Sequence, residues 1–156
     1  MLLFWKSFAY AGSGIWFCLR HERNFRKHLV ITIYVLCFAP AFTLSHAEWA
    51  ILFLTMALVL AAEAINTAIE NAVNLSSPKI HPTARIAKDV AAAAVLICSV
   101  ASICVGVVLF GRPEELSVLF NGLFAQPWKT ALLLLSLFVS ILFILRGGSR
   151  KIISDK

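Results

Sequence analysis

The stretch AILFLTMALVLAAEAINTAIENAVN, residues 50–74, decides the fold of this 156-residue chain. It opens with an uninterrupted apolar run, and the chain contains four such runs, at about 29–45, 49–70, 90–110 and 128–145. Each approaches the roughly 17–25 residues that a membrane-spanning helix needs. Charged residues make up only 14% of the chain, against roughly 25% in a soluble domain. The sequence therefore predicts an all-α integral membrane protein with four spanning helices.

The basic residues are distributed unevenly between the two sides of these spans. With a cytoplasmic N-terminus, twelve of the 14 Lys and Arg residues fall in the inner segments 1–28, 71–89 and 146–156. Only Arg112 and Lys129 fall on the outer side. Because cytoplasmic loops carry the excess of Lys and Arg, both termini are predicted to be cytoplasmic. This topology accounts for the net charge of +6 without any nucleic-acid partner.

The N-terminal segment 4–20 is too polar and too rich in glycine to span the membrane. Its apolar residues Phe4, Phe8, Ile15 and Leu19 fall on one side of a helix, which predicts an amphipathic helix lying in the inner interface. No small-residue cleavage site follows it, so we do not interpret it as a removable signal peptide. The prolines and glycines at 75–82 and 111–127 predict loops between the spans.

Four polar side chains interrupt the apolar character of residues 62–74. On a helix turning roughly 100° per residue they fall within about 80° of one another; they are Glu63, Asn66, Glu70 and Asn74. A carboxylate within a span costs about 2.5–3.5 kcal/mol on insertion scales, and such a residue is by default a candidate for a functional site. A structural role, as a hydrogen bond between helices, is the simpler alternative.

A second polar group lies at the start of the third span. Lys88 and Asp89 are expected at the depth where Glu70 leaves the membrane, and the alanine run 91–94 allows another helix to approach closely. Carboxylates beside a Lys suit Mg²⁺ and a triphosphate, and a deeper Glu suits proton abstraction from a lipid hydroxyl. The same residues would also suit a proton or cation transporter. Neither a P-loop nor a kinase-type glycine loop is present in the sequence.

Four segments of the chain resemble the prokaryotic diacylglycerol kinase family, particularly its undecaprenol kinase branch. They are SFAYA at 7–11, ERNFRKH at 22–28, AEAINTAIE at 62–70 and HPTARIAKDVAA at 81–92. They occur in the family's order and spacing, and the resemblance covers about residues 7–110. It implies an N-terminal interfacial helix and a three-helix kinase core at 1–110, in a bacterial inner membrane.

The resemblance also implies a role for each matched residue. Glu63 corresponds to the catalytic base that deprotonates the lipid hydroxyl, and Glu22 and Glu70 correspond to the carboxylates that hold Mg²⁺ with ATP. The other implied nucleotide-site residues are Asn66, Lys88 and Asp89, together with Tyr10, Lys79 and His81, which would contact the nucleotide from above. The family is a homotrimer whose sites are shared between neighbouring chains.

The segments ERNFR at 22–26 and HPTARIAKDVAA at 81–92 look more like the undecaprenol kinase branch than the diacylglycerol kinase branch. The lipid alcohol that they imply is undecaprenol, with diacylglycerol as the alternative. A transporter, or a regulatory or scaffolding protein, would be a different class of function. Two features depart from the family. Asn74 occupies a position that is commonly Asp, and residues 111–156 add a loop, a fourth spanning helix and a basic tail. We expect this helix to be peripheral and non-catalytic, with Ser136 and Ser140 forming a contact face.

Overall fold

The computed structural model describes residues 2–76 and 81–146, and all regular structure in this part of the chain is helical. Six α-helices follow one another: α1 (Leu2–His21), α2 (Arg23–Phe38), α3 (His46–Ser76), α4 (Pro82–Phe110), α5 (Pro113–Phe124) and α6 (Pro127–Arg146). A short 3-10 turn, Ala39–Ala41, separates α2 from α3. The predicted all-α fold is confirmed.

Three of the described helices, α3, α4 and α6, are long and apolar enough to cross a membrane. The predicted first span, 29–45, differs from the structure, because α2 begins at Arg23 and ends at Phe38. The 3-10 turn that follows contains Pro40, which lacks the N–H that a continuing helix would need. With only 16 residues, α2 is shorter than the roughly 17–25 residues of a typical span.

Nevertheless, α2 and its 3-10 turn connect the two ends of the bundle. Near its start, Arg26 contacts the last turns of α1 and α6. Just beyond the turn, Thr43 contacts residues at the start of α5 at the opposite end. The chain therefore runs between the two ends of the bundle in α2 as well as in α3, α4 and α6, although of these described helices only the last three are long and apolar enough to cross a membrane.

A polar cluster closes the end of the bundle that the sequence places outside. The Arg112 guanidinium pairs with Glu48 and Glu115 and donates to the Thr43 carbonyl oxygen at 2.8 Å. The Glu115 carboxylate also accepts from the Thr43 backbone N–H at 2.7 Å. Ser45 and Glu48 cap the start of α3 reciprocally, each side chain accepting from the other residue's backbone N–H. We call Thr43, Glu48, Arg112 and Glu115 the outer clasp.

The prediction of a loop at 111–127 is wrong over most of its length. Residues 113–124 form helix α5, with Pro113 in its first turn and Glu114 and Glu115 following it. Proline is favoured at the first helical position because its missing N–H would have no partner there, and acidic residues are favoured in the first turn. Gly122 lies inside the helix. The prolines at 113 and 127 begin helices here.

The most extensive packing in the chain is between α3 and α4. Ala91 and Val95 of α4 are buried, as are Val59, Glu63 and Thr67 of α3. The small alanine side chain allows the close approach of helices that was expected at 91–94. A separate apolar core, formed by Ala39, Leu52 and Leu109, lies towards the outer clasp.

Helix α6 lies against α2 along a seam of hydroxyl groups. The Tyr34 hydroxyl donates to Ser136 Oγ at 2.9 Å and lies 3.2 Å from Ser140 Oγ. The prediction that Ser136 and Ser140 form a contact face is confirmed. No residue of α6 is buried, so it lies at the periphery of the single chain.

Helix α1 buries little of its own surface in the chain. Its aromatic residues, among them Phe4, Trp5, Phe8 and Trp16, are exposed, and Cys18 near its end is buried. Helix α1 contacts α2 and α3. An exposed aromatic face is typical of a helix that lies in a membrane interface, where Trp and Phe enter the headgroup region.

Candidate active site

The polar stripe predicted on α3 is present, and its deeper part is buried. Glu63 is 4% exposed and Thr67, one turn further on, is equally buried. Asn66 Nδ2 donates to Glu70 Oε1 at 3.2 Å, which follows from their i, i+4 spacing on one helix face. The stripe therefore runs from a buried carboxylate to a more accessible one near the end of α3.

A residue of α2 contacts the buried carboxylate. His28 Nε2 lies 3.3 Å from Glu63 Oε1, and both side chains are largely shielded from solvent. His28 ends the segment 22–28 that resembles the family, but the sequence predicted no role for it. Its only signal was its position just before the first predicted span, which begins at about residue 29. The contact itself depends on how α2 packs against α3.

Two further carboxylates lie close enough to Glu63 for their charges to act on it. Glu22 joins α1 to α2, with an extended backbone at φ −103° and ψ 111°. The charges of Glu22 and Glu70 both act on Glu63, and Lys27 acts on it with the opposite sign. Three of the residues predicted for the site, Glu22, Glu63 and Glu70, are thus brought into one electrostatic cluster, with Asn66 attached through Glu70.

The end of α1 lies beside this cluster. Cys18 is hydrogen-bonded to the buried Thr67 of α3, and burial raises the pKa of its thiol, an effect that the hydrogen bond partly offsets. The nearby Glu22 charge also raises it. Cys18 therefore packs the end of α1 against the polar stripe of α3, four residues before Glu22.

The predicted residues on α4 are more exposed. Lys88 Nζ donates to Asn74 Oδ1 at 2.5 Å, which connects α4 to the end of the α3 stripe. Asp89 is paired with Arg85 at 3.8 Å, and their side chains are 70% and 82% exposed. The His81 side chain caps α4 by accepting from the Thr83 backbone N–H.

Tyr10 and Lys79 complete the set of predicted residues. Tyr10 lies on α1 and is 72% exposed, and Lys79 lies outside the described residues. The single chain therefore brings together Glu22, Glu63, Asn66 and Glu70, and links Lys88 to them through Asn74. His81 and Asp89 make the contacts described above within α4 and its cap, and Tyr10 is exposed on α1.

The donor atoms of the cluster fit a hard divalent cation. Carboxylates and amide oxygens are the ligands that Mg²⁺ accepts, usually one or two of them with water and phosphate. The Asn66 Oδ1 atom is buried, and within residues 2–76 and 81–146 it has no hydrogen-bond partner. The described residues contain no group of three or more His, Cys, Asp or Glu side chains suited to a metal. The carboxylate and amide oxygens of the cluster suit a divalent metal that also binds phosphate and water.

An apolar groove lies beside the cluster. It has a volume of about 220 Å³ and is bounded by α2, α3 and α4. His28 lies at one end of it, Val59 and Gly106 line its walls, and Phe110 lies towards the outer clasp. The groove thus connects the neighbourhood of Glu63 with the apolar interior of the bundle.

Comparisons with known proteins agree on one family. The model of the prokaryotic diacylglycerol kinase family matches residues 9–110. The chain is 44% identical over 107 residues to undecaprenol kinase of Bacillus subtilis (strain 168), covering 69% of this chain and 87% of that protein. It is 40% identical over 101 residues to diacylglycerol kinase of Synechocystis sp., covering 64% and 58%. It is 33% identical over 92 residues to diacylglycerol kinase of Helicobacter pylori (strain J99), covering 59% and 72%.

Proposed function

The chain belongs to the prokaryotic diacylglycerol kinase family, and from that premise we propose that it transfers the γ-phosphate of ATP to the hydroxyl of undecaprenol. As a member of this family it is a lipid kinase, with ATP as the phosphate donor. Undecaprenol is favoured because the relative named undecaprenol kinase shares 44% of its residues over 87% of its length. Diacylglycerol is the second candidate, because the other relatives carry that name.

Glu63 acts as the general base. The observation that carries this role is a buried carboxylate held 3.3 Å from His28 at the end of an apolar groove. Glu63 takes the proton of the lipid hydroxyl as the oxygen forms its bond to the γ-phosphorus. The bond from that phosphorus to the β–γ bridging oxygen breaks, and its electron pair leaves with ADP. The products are the lipid phosphate, ADP and a proton on Glu63.

The lipid chain lies in the groove between α2, α3 and α4. Its hydroxyl is then at the His28 end, near Glu63, and its tail points towards Phe110 and the outer clasp. Such an apolar groove supports a hydrocarbon tail but discriminates chains poorly, because one methylene more or less is worth only about 1–3 kcal/mol.

Glu22 and Glu70 hold Mg²⁺ with the nucleotide phosphates, and the unpartnered Asn66 Oδ1 offers a third oxygen. When bound there, Mg²⁺ would supply positive charge against the nucleotide phosphates during phosphoryl transfer. The remaining nucleotide contacts come from Tyr10, Lys79, His81, Lys88 and Asp89. The exposure of Tyr10 and Asp89 supports a site that a neighbouring chain of a homotrimer completes.

The enzyme lies in the bacterial cell membrane with both termini in the cytoplasm. The distribution of Lys and Arg supports this orientation, and it places Glu22, Glu70 and Lys88 on the side where ATP is available. The four passages of the chain along the bundle agree with it.

Purified protein assayed with Mg-ATP on undecaprenol and on diacylglycerol tests the substrate. We expect kcat/KM to be higher for undecaprenol, and both reactions to disappear in the matched variant Glu63→Gln. A higher kcat/KM for diacylglycerol would replace the proposed lipid while leaving the kinase intact. Turnover of either lipid by Glu63→Gln at the wild-type rate would refute the role of Glu63 as the general base.

A further inference from the structure

Arg26 is the most completely buried charged residue described, at 1% exposure. Its Nη1 donates to the carbonyl oxygens of Leu19 at 2.9 Å and Arg20 at 3.2 Å, and its Nη2 donates to that of Ile144 at 3.3 Å. The first two carbonyls belong to the last turn of α1 and the third to the last turn of α6. One guanidinium thus joins three helices, because it is itself carried by α2.

The ends of α1 and α6 have a physical reason to meet at a cation. The last four carbonyls of a helix lack partners within the helix and carry partial negative charge. Two such ends brought together would repel each other, and a planar guanidinium can donate to both at once. Arg26 was counted among the basic residues of the inner segment 1–28, but its side chain is directed into the protein.

The residue that this arrangement holds in place is Glu22. The Arg26 backbone N–H donates to the Glu22 carbonyl oxygen at 3.3 Å, and the Glu22 N–H donates to the Cys18 carbonyl oxygen at 2.9 Å. Glu22 therefore lies between the end of α1 and the first turn of α2, the two elements that the Arg26 side chain joins. Helix α6 is the third support, and it lies beyond residues 9–110, where the family model matches.

We propose that Arg26 is a positioning residue, through which the end of helix α6 holds the α1–α2 junction and so sets Glu22 for the binding of Mg-ATP. This rests on the proposed role of Glu22 as a metal ligand. Helix α6 is then peripheral in position, yet it contributes to nucleotide affinity. It does so through the Ile144 carbonyl oxygen, which accepts a hydrogen bond from the Arg26 guanidinium.

A pair of truncations removes or keeps the last turn of α6, which carries that carbonyl. A chain ending after Leu142 lacks Ile144, whereas a chain ending after Arg146 keeps it, and both keep Tyr34 bonded to Ser136 and Ser140. A third chain, ending after residue 146 and carrying Arg146→Gln, controls for the lost terminal charge. We expect the KM for Mg-ATP to rise about tenfold in the shortest chain only, as for loss of a charge-assisted hydrogen bond, with kcat and the KM for lipid little changed.

Arg26→Gln should raise the KM for Mg-ATP by at least as much, and Arg26→Lys, which keeps the charge but not the fork, should fall between it and the wild type. Both changes break the same contact, between Arg26 and the Ile144 carbonyl oxygen. Adding the truncation to Arg26→Gln should therefore cause no further rise in the KM for Mg-ATP. If Arg26→Gln fails to fold, the three truncations decide alone. Equal KM values in all three would overturn the proposal, as would effects that multiply in the double variant.

The variant Glu22→Gln distinguishes a failure of the positioning role of Arg26 from a failure of the proposed role of Glu22 as a metal ligand. If it leaves the KM for Mg-ATP unchanged, the assignment of Glu22 fails, and the positioning role fails with it. If it raises the KM while the truncations do not, Glu22 remains a ligand and only the role of Arg26 and α6 is refuted.

Discussion

At the scale of single residues, the site depends on carboxylates of unequal burial on one helix. Glu63 is 4% exposed, whereas Glu70 lies two turns further along α3 and bonds Asn66. The depth difference separates the two chemical tasks, because a lipid hydroxyl arrives from the membrane and the nucleotide from the water. Two variants of identical chemistry can therefore be compared.

Glu63→Gln should lower kcat by about 10²–10⁴-fold, the usual cost of losing a general base, with Mg-ATP binding nearly intact. Glu70→Gln should weaken Mg-ATP binding at least tenfold, since loss of even a residue that only hydrogen-bonds to a metal ligand costs about 10–100-fold in metal affinity. Nucleotide binding by calorimetry and turnover by phosphate transfer measure both effects. Equal loss of nucleotide binding in the two variants would contradict this division of roles.

His28→Leu should leave Glu63 without its closest polar neighbour. An unsatisfied buried polar group costs about 1–3 kcal/mol, so we expect a lower free energy of unfolding and a lower kcat, with the KM for Mg-ATP unchanged. His28→Asn, which keeps a hydrogen-bond donor, should recover part of both losses. A kcat for His28→Leu equal to that of the wild type would show that the contact seen at 3.3 Å has no part in turnover.

At the scale of helices, the sequence predicted those features that follow from helical periodicity. The α3 stripe followed from the 3.6-residue repeat, and the Ser136 and Ser140 face from their i, i+4 spacing. Helix α5 was missed because Pro113, Gly122 and Pro127 were interpreted as breaks. The contacts of His28 and Arg26 were missed because they depend on the register between helices distant in sequence, which no single segment encodes.

The seam between α2 and α6 provides a test that should not affect the reaction. Tyr34→Phe removes the hydroxyl that reaches both serines, and hydrogen bonds between membrane helices are worth about 0.6 kcal/mol on average and about 1.7 at most. We expect a small fall in thermal stability in detergent, with kcat unchanged. Ser117→Ala, on the exposed face of α5, is the matched control. A Tyr34→Phe enzyme with impaired turnover would place this seam within the catalytic machinery.

At the scale of the whole molecule, the single chain presents part of its predicted site outwards. Asp89 and its partner Arg85 are largely exposed, while Glu63 is buried. If a neighbouring chain contributes Asp89 to each site, Glu63→Gln and Asp89→Asn damage different halves of it. Mixing the two inactive variants during assembly should then restore roughly a quarter of the wild-type activity, because one site in four combines two intact halves.

Separately assembled variants, mixed after purification, are the control for that experiment and should stay inactive. Recovery of no activity from co-assembled chains, with mixed trimers verified by tagged pull-down, would indicate that each chain holds its whole site.

The outer clasp fastens the outer end of α3. Arg112, Glu48, Glu115 and Thr43 tie the starts of α3 and α5 and the segment after α2 to one another, while the opposite ends of α3 and α4 carry the Glu70 carboxylate and Lys88. When a helix is fixed at one end, a tilt displaces its other end most. A tilt of α3 or α4 would therefore barely shift Glu48 yet displace Glu70 and Lys88 appreciably. We therefore expect the nucleotide to enter and leave through small changes in the tilt of these helices, with the outer surface unchanged through each turnover.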